Sequence, residues 1–177
     1  VGDYMEYVHA VPHSEYIEPN PALDRMLGRL RPSKAIFTNA SQSHARRVLS
    51  ALGVSTSHFE CIFDFEAAGF CPKPDPEAYR RILARLGVRG DQCVLVEDNL
   101  RNLATAKSMF GMTTVLVKKC GHGAECRPDT IRTAATRADT PTWAGATAPN
   151  TPMQSEPTHA DLVIDDILQL EQALGED

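Results

Sequence analysis

The sequence has no apolar run long enough to predict a transmembrane helix, and no secretory signal peptide is visible in it. It also lacks any run of Lys or Arg. With 23 acidic and 18 basic residues, its formal net charge is -5, so no overall basic field is present to attract nucleic acid or an anionic membrane. The five cysteines are an odd number without the spacing of a disulfide framework. We therefore expect a cytoplasmic protein whose partners are neither a nucleic acid polymer nor a membrane.

Short apolar segments, in contrast, recur along most of the 177 residues, a length that fits one globular domain with a substantial core. Apolar residues at helical spacing predict three amphipathic helices, at 23–30, 45–52 and 79–86. Short apolar segments predict strands at 35–38, 61–63, 93–96, 113–117 and 162–164. Such alternation predicts an α/β fold with a Rossmann-like parallel sheet and helices on both faces.

Local signals mark where these helices begin and end. Asp75 can cap a helix whose first residue is Pro76. Glycines 53, 87 and 111 follow helical patterns at the point where a left-handed residue is often needed.

Two regions depart from the alternation of strand and helix. Residues 1–20 predict a short helix and then a proline break, and the segment 119–159 is rich in Thr, Ala and Pro with almost no apolar periodicity. Such a segment cannot bury enough surface to offset its chain entropy, so we predict a disordered insertion there, more simply a tolerated loop than a partner-binding segment. Residues 160–177 regain strand and then helix character. Because the chain begins with Val1 and not Met, we expect it to be an incomplete copy of a longer protein.

Polar residues follow two of the predicted strands in a way that suits phosphate. Thr38 ends the strand at 35–38 and Asn39 follows it, just before a helix opening near Ser41 or Ser43, so the hydroxyl can donate to a phosphate oxygen beside free backbone amides. Lys73 lies between two prolines that hold its backbone extended, and its ammonium can neutralise a phosphate. Taken alone, each motif has an ordinary alternative role: Thr38 and Asn39 could simply cap a helix, and Lys73 could be a surface lysine.

The strand at 93–96 ends in an acidic pair that runs into a helix. Asp98 is the candidate ligand of a hard cation such as Mg²⁺, with Glu97 as an auxiliary carboxylate and Asn102, one helical turn later, placed to orient a water. An acid pair at a helix start also simply favours the helix dipole. A functional role is therefore indicated by the whole set of residues and by none of them alone.

In its residue types and in their order along the chain, this set resembles the motifs of the haloacid dehalogenase superfamily. Three segments carry the resemblance and look most like its pyrimidine 5'-nucleotidase branch: Phe37-Thr-Asn-Ala40, Lys73-Pro-Asp-Pro-Glu-Ala-Tyr79 and Glu97-Asp-Asn-Leu-Arg-Asn102. The resemblance covers about residues 15–118 and 160–174. It implies a Rossmann-like core, Mg²⁺ dependence and hydrolysis of a small phosphomonoester, such as a nucleoside monophosphate, through an aspartyl-phosphate intermediate. Thr38, Asn39 and Lys73 would then bind the phosphoryl group, and Asp98 would ligate Mg²⁺.

The first motif of that superfamily, Asp-x-Asp, which supplies the nucleophile, does not occur in this sequence. Asp64 with Glu66 mimics its shape, and Asp165 with Asp166 follows the last strand, but both stand at the wrong place in the chain. We therefore expect residues 1–30 to be the end of a helical cap and its return to a core at 31–118. Without the nucleophile we expect binding at most.

Two alternative functions and two weaker site candidates stay open. The substrate could instead be phosphoglycolate, a sugar phosphate or a haloacid, although Lys73 and the acidic pair favour phosphate because carbon–halogen cleavage needs no Mg²⁺. The chain could also be a non-catalytic binding module. A zinc site made of Cys120, His122 and Cys126 has no fourth ligand and an unusual spacing, and His9 could face a substrate from the cap.

Overall fold

The computed structural model describes residues 16–118, residues 132–133 and residues 160–175. The helix predicted within the first 20 residues and almost all of the predicted insertion at 119–159 lie outside the described residues. The same is true of His9 and of the cysteines and histidine that could form a zinc site, so these stay predictions.

The three helices predicted from apolar spacing are confirmed. They are α1 (Pro21–Arg29), α2 (Gln42–Leu52) and α3 (Pro76–Leu86), and α4 (Leu100–Phe110) follows the acidic pair. Near the C-terminus, a 3₁₀ turn at Ile167–Gln169 leads into the short helix α5 (Leu170–Ala173). Further 3₁₀ turns span Thr56–His58 and Gly90–Gln92. None of the helices in the described ranges has the length and apolar composition needed to cross a lipid bilayer.

The helix boundaries follow the predicted capping signals. The Asp75 carboxylate accepts a hydrogen bond from the amide of Glu77 at 2.8 Å, with Pro76 as the first residue of α3. Helices α2, α3 and α4 each end at a glycine in the left-handed region, with φ of 69°, 68° and 65° at positions 53, 87 and 111.

The strands form an α/β fold with parallel pairing, as predicted. They are β1 (Ala35–Phe37), β2 (Cys61–Phe63), β3 (Val94–Glu97), β4 (Thr113–Val117), β5 (Arg132–Thr133) and β6 (Leu162–Ile164). Strand β1 pairs with β2, β3 with β4, and β4 with β6, all in parallel. The two-residue strand β5 pairs antiparallel with β6 and has no counterpart in the sequence pattern.

Both faces of the sheet carry a hydrophobic core. Leu95 packs into a cluster with Tyr79 and Ile82 of α3 and Ala106 of α4. The next residue, Val96, packs into a second cluster, in which Met26 and Leu30, from α1 and its C-terminal end, meet Val115, Ile164 and Leu170. Because successive strand residues point to opposite faces, α3 and α4 cover one face while α1 and α5 cover the other.

Asp161 fastens β6 to its neighbours. Its carboxylate accepts hydrogen bonds from Lys107 Nζ at 2.7 Å, from the Thr114 amide at 2.9 Å and from Thr114 Oγ1 at 2.7 Å. The polar side chain of Thr114 can therefore be completely buried without losing a hydrogen bond.

The hydrogen-bonded strands fall into two groups. One sheet has the order β1-β2 and the other the order β3-β4-β6-β5. Among the described strands, nothing pairs with β1 on the side opposite β2, or with β3 on the side opposite β4. What connects the ends of β1 and β3 is a set of side chains, and these form the candidate site.

Candidate active site

Thr38 lies where β1 ends. Its amide donates to the carbonyl of Phe63 at 2.9 Å, which extends the pairing of β1 with β2 by one residue. Its hydroxyl oxygen accepts a hydrogen bond from the amide of Ala40 at 3.0 Å. No acceptor for the hydroxyl proton is found in the described part of the chain, so this proton can be donated to a ligand.

More of the backbone amides at the start of α2 are hydrogen-bonded within the protein than the sequence predicts. The amide of Gln42 donates to Asp64 Oδ2 at 2.9 Å, and the amide of His44 donates to the capping residue Ser41 at 3.3 Å. With the amide of Ala40 bonded to Thr38, the expectation of free amides beside this residue holds only in part. The backbone groups had to be satisfied within the protein because this turn is half-buried.

Asp64 is a structural residue. Its side chain is almost fully buried, and its two oxygens accept hydrogen bonds from the amides of Gln42 and Ala67, both at 2.9 Å. The carboxylate therefore joins the end of β2 to the start of α2. This geometry agrees with the expectation that Asp64 is not the nucleophile.

Asn39 and Lys73 hold each other through their backbone and side-chain groups. The Asn39 side-chain amide donates to the carbonyl of Lys73 at 3.0 Å, and the Lys73 amide donates to Asn39 Oδ1 at 2.8 Å. The loop after β1 and the loop before α3 are thereby fastened together. Sequence reasoning placed both residues at a phosphate site but did not predict this contact, because 34 residues separate them.

The Lys73 ammonium is the central group of the site. It donates to the carbonyl of Phe37 at the end of β1, at 2.8 Å, and to Glu97 Oε2 at the end of β3, at 2.6 Å. It also lies 4.8 Å from the centre of the Phe37 ring. The exposed fractions of the Lys73 and Glu97 side chains are only 8% and 11%. Burial strengthens such a pair electrostatically, and it makes the loss of either partner costly.

Both carboxylate oxygens of Glu97 accept hydrogen bonds from other groups of the protein. Its Oε2 accepts a second hydrogen bond from the side-chain amide of Asn102 at 3.0 Å, and its Oε1 accepts from the Asp98 amide at 3.1 Å. The side chain therefore orients Lys73 and Asn102 as neighbours. Asp98 is exposed where β3 meets the capping residue Asn99 of α4.

Tyr79 supports this arrangement from the core. Its hydroxyl donates to the carbonyl of Asn102 at 2.8 Å, and its ring packs edge-on against Phe37 at 5.3 Å. Burial, and to a smaller degree the charge of Glu97, raise the pKa of Tyr79 well above its usual range. The phenol thus remains a neutral donor and fixes both ends of the site to the same buried ring.

The residues of the site suit Mg²⁺ through Asp98 and Asn102. In the described ranges, no group of three or more His, Cys, Asp or Glu side chains is placed to hold a metal ion. Mg²⁺ is usually held by one or two carboxylates, with water and substrate phosphate completing its shell. Asp98 offers a carboxylate of that kind, and Asn102 Oδ1 is a buried oxygen without a hydrogen-bond partner. The residues present therefore fit an ion that keeps part of its water.

Other acidic and histidine candidates have structural roles. His58 Nε2 lies 2.8 Å from Asp24 Oδ1, which links the turn after α2 to α1. Asp166 Oδ1 accepts from the amide of Leu168 at 2.9 Å and caps the last 3₁₀ turn, while Asp165 lies 3.6 Å from Lys118.

A cavity of about 930 Å³ lies elsewhere. It opens at the outer edge of β2 between α2 and α3, and its lining includes Arg46, Arg81 and Arg85. Neither Thr38 nor Lys73 nor Asp98 is among the lining residues. The proposed chemistry therefore does not depend on this cavity.

With this geometry established, comparison with known proteins identifies the family. A family model described as haloacid dehalogenase-like hydrolase matches residues 4–109, and a second, described as HAD-hydrolase-like, matches residues 70–170. The chain belongs to the haloacid dehalogenase-like hydrolases. Membership in the pyrimidine 5'-nucleotidase branch is not shown by these matches.

Two curated relatives of this chain are phosphatases. The chain is 37% identical over 89 residues to enolase-phosphatase E1 of Frankia alni, a match covering 49% of the chain and 36% of the relative. It is 34% identical over 73 residues to phosphoglycolate phosphatase of Rhodospirillum rubrum, covering 41% of the chain and 30% of that relative. The chain thus spans about a third of the length of the curated relatives it matches.

Solved structures confirm the fold of this chain. A HAD phosphatase from Thermococcus onnurineus matches with a TM-score of 0.57 and 22% identity, over 89% of this chain and 59% of that one. A dehalogenase with an intermediate complex matches with a TM-score of 0.62 and 19% identity, over 89% of this chain and 57% of that one. Since phosphatases and dehalogenases both match, the fold alone does not choose between these reactions.

Proposed function

We propose that this chain carries the phosphate-binding and magnesium-binding part of a phosphomonoesterase that hydrolyses nucleoside monophosphates. The observation that carries the proposal is the position of the Lys73 ammonium between the Phe37 carbonyl and the Glu97 carboxylate. It connects the end of the strand before Thr38 with the end of the strand before Asp98. A cation, a hydroxyl donor and a carboxylate at one edge of parallel strands form a suitable site for a phosphate with its metal ion.

Each residue has a distinct role in this proposal. The Thr38 hydroxyl donates to one phosphoryl oxygen, and the Lys73 ammonium neutralises another. Asn39 keeps Lys73 in place through its paired hydrogen bonds. Asp98 would hold Mg²⁺, and Asn102 would orient one of its waters. When bound, Mg²⁺ supplies positive charge that stabilises the transferring phosphoryl group.

Hydrolysis also requires a nucleophile, which this chain does not supply. Asp64 uses both of its oxygens as a cap, and the Asp-x-Asp motif does not occur in the sequence. We expect the chain alone to bind phosphate without turnover, with the nucleophilic aspartate coming from residues outside this sequence.

The proposed location is a reducing cytoplasm, because the odd number of cysteines lacks the spacing of a disulfide framework.

A second candidate substrate is phosphoglycolate or another small phosphate ester, such as a sugar phosphate. It is favoured by the 34% identity with the phosphoglycolate phosphatase of R. rubrum. The groups proposed to bind the phosphoryl oxygens would serve either substrate, so the two candidates differ only in the leaving group.

Calorimetric titration of this chain tests the proposal directly. We expect inorganic phosphate to bind more tightly with Mg²⁺ present, and Asp98→Asn to remove that Mg²⁺ dependence. Lys73→Met should weaken phosphate binding in both conditions. Asp91→Asn is a matched control, because this exposed aspartate pairs with Arg89 away from the site. If phosphate binds equally well to Lys73→Met, the phosphate site has been misplaced.

Turnover is tested on the native protein. Mass spectrometry of its N-terminal peptide shows whether residues with Asp-x-Asp precede Val1, and phosphate release from a substrate panel then measures activity. Release that disappears in Asp98→Asn supports the enzyme. A native protein that releases no phosphate from any ester would instead favour the non-catalytic binding module.

A further inference from the structure

The loop between β2 and Lys73 presents an aromatic pair beside the candidate site. Phe65 and Phe70 lie with ring centres 5.4 Å apart at an angle of 82°. The exposed fraction of Phe70 is 57%, which is unusual for so large an apolar side chain. Neither residue was identified as functional from the sequence.

Hydrogen bonds hold this loop against the residues proposed to bind phosphate. The amide of Phe65 donates to the carbonyl of Ala40 at 3.4 Å, two residues beyond Thr38. Three residues after Phe70, Lys73 is fastened to Asn39. The pair therefore lies on a segment attached at both ends to the rim of the phosphate site.

The backbone that presents Phe70 is strained. Gly69 and Phe70 have φ of 68° and 63°, and among the described residues Phe70 is the one non-glycine residue with positive φ. The left-handed region is unfavourable for a residue with a Cβ, and such conformations are concentrated at functional sites. Arg81 covers Gly69 so closely that a Cβ on this glycine would lie 2.0 Å from the guanidinium Nη1. A glycine at position 69 thus leaves room for the Arg81 side chain, and the turn that follows places the Phe70 ring in solvent.

An exposed aromatic ring beside a phosphate site has a definite chemical use. In an edge-to-face pair the rings are not stacked on each other, so a ring face remains available to a planar ligand. Stacking on an aromatic side chain accepts any nucleobase, because every base has a π-face. A sugar or glycolate group has no such face.

We propose that the Phe65–Phe70 pair binds the planar ring of the leaving group and thereby selects nucleoside monophosphates over aliphatic phosphate esters. This inference rests on the proposed function and adds to it the groups that recognise the substrate. The pair selects for a flat ring and does not by itself distinguish pyrimidine from purine.

The test compares equilibrium binding of uridine monophosphate, phenyl phosphate and glycerol phosphate to this chain with Mg²⁺ present. We expect the wild type to bind uridine monophosphate about tenfold more tightly than glycerol phosphate. Phe70→Leu should remove most of this difference and leave the affinity for glycerol phosphate within about twofold, whereas Phe70→Trp should retain the preference. Met109→Ala, which alters a comparably exposed apolar residue on α4, should change neither affinity. Phenyl phosphate distinguishes two modes of recognition. If the pair recognises any flat ring, phenyl phosphate binds as tightly as the nucleotide; if it recognises a base, phenyl phosphate binds more weakly.

Phe70→Gly guards against a folding artefact, because glycine accepts a φ of 63° without steric cost. It should fold with an unchanged or raised Tm and still lose the preference for the nucleotide. Equal wild-type affinities for uridine monophosphate and glycerol phosphate would overturn this inference while leaving phosphate binding intact. Failure of all three esters to bind the wild type would overturn the proposed function and this inference together.

Discussion

Lys73 and Glu97 form a nearly buried ion pair, with 2.6 Å between the ammonium and Glu97 Oε2, across the gap between two strands that do not pair with each other. Because the Lys73 ammonium also donates to the Phe37 carbonyl, its side chain links the ends of β1 and β3, which no ladder hydrogen bond joins. The site therefore depends on two side chains that also contribute to the stability of the fold.

Replacing Glu97 by Gln should destabilise the protein strongly. The substitution keeps the shape of the side chain but leaves the Lys73 charge without its partner, and removing one member of a buried pair costs about 3 kcal/mol. Urea unfolding at pH 7 measures this loss. Glu77→Gln provides the control, since Glu77 pairs with Arg81 on the exposed face of α3 and its substitution should destabilise the protein far less. Equal losses in the two variants would contradict the burial argument.

Asn39→Ala should weaken phosphate binding more than it weakens the fold. It removes both hydrogen bonds to the Lys73 backbone, which on a partly exposed loop contribute about 1 kcal/mol each. Calorimetric titration with inorganic phosphate, together with urea unfolding, separates the two effects. Asn39→Asp keeps the acceptor for the Lys73 amide and loses only the donor, so its affinity should be intermediate. An affinity unchanged in Asn39→Ala would show that Lys73 needs no such clamp.

Asp64→Asn should act on stability alone. The amide side chain keeps an acceptor for one backbone group but cannot accept from both Gln42 and Ala67, so we expect a loss of about 1 kcal/mol. Thermal unfolding checks the loss, and phosphate titration should show unchanged affinity. Phosphate binding that vanished in a folded Asp64→Asn protein would assign this carboxylate to the site after all.

Asp161 should make the stability sensitive to acid. Partial burial raises the pKa of this carboxyl, but hydrogen bonds from Lys107 and Thr114 outweigh burial and hold its pKa below the ordinary value. A lowered folded-state pKa means that the contribution is fully present above the unfolded-state pKa of about 3.9 and is lost as the pH falls through the folded-state value.

Urea unfolding between pH 7 and pH 3 measures this dependence. Asp161→Asn should be less stable at pH 7 and should lose less stability on acidification than the wild type. Asp91→Asn should follow the wild-type profile more closely, because its partner Arg89 is exposed and the pair lies outside the core. An Asp161→Asn profile parallel to that of the wild type would show that another group controls the acid response.

Much of the fold could be predicted from the sequence because its signals are local. The periodicity of α1, α2 and α3, the Asp75 cap and the C-terminal glycines depend on residues a few positions apart. The division of the strands into two hydrogen-bonded groups, in contrast, depends on which strands are neighbours in space. No local pattern specifies that.

The candidate site was predictable in its residue types and less so in its contacts. Strand ends predicted that Thr38 and Asp98 lie at one edge, since parallel strands deliver their last residues there. Lys73, in contrast, lies in the loop before α3 and reaches that edge with its side chain. The bond between Asn39 and Lys73, and the use of Glu97 to hold Lys73, join residues 34 and 24 positions apart. The exposed ring of Phe70 was missed because a phenylalanine gives no sequence signal for a left-handed backbone.

The Phe37 carbonyl bears on the solubility of the protein as well as on its chemistry. On the side of β1 that no described strand covers, a row of backbone groups could template the addition of a strand from another molecule, the first step of aggregation. By donating to this carbonyl, the Lys73 ammonium occupies an acceptor at that edge and places a charge there. Loss of Lys73 would therefore remove both the donor to this carbonyl and the charge beside it, independently of any phosphate.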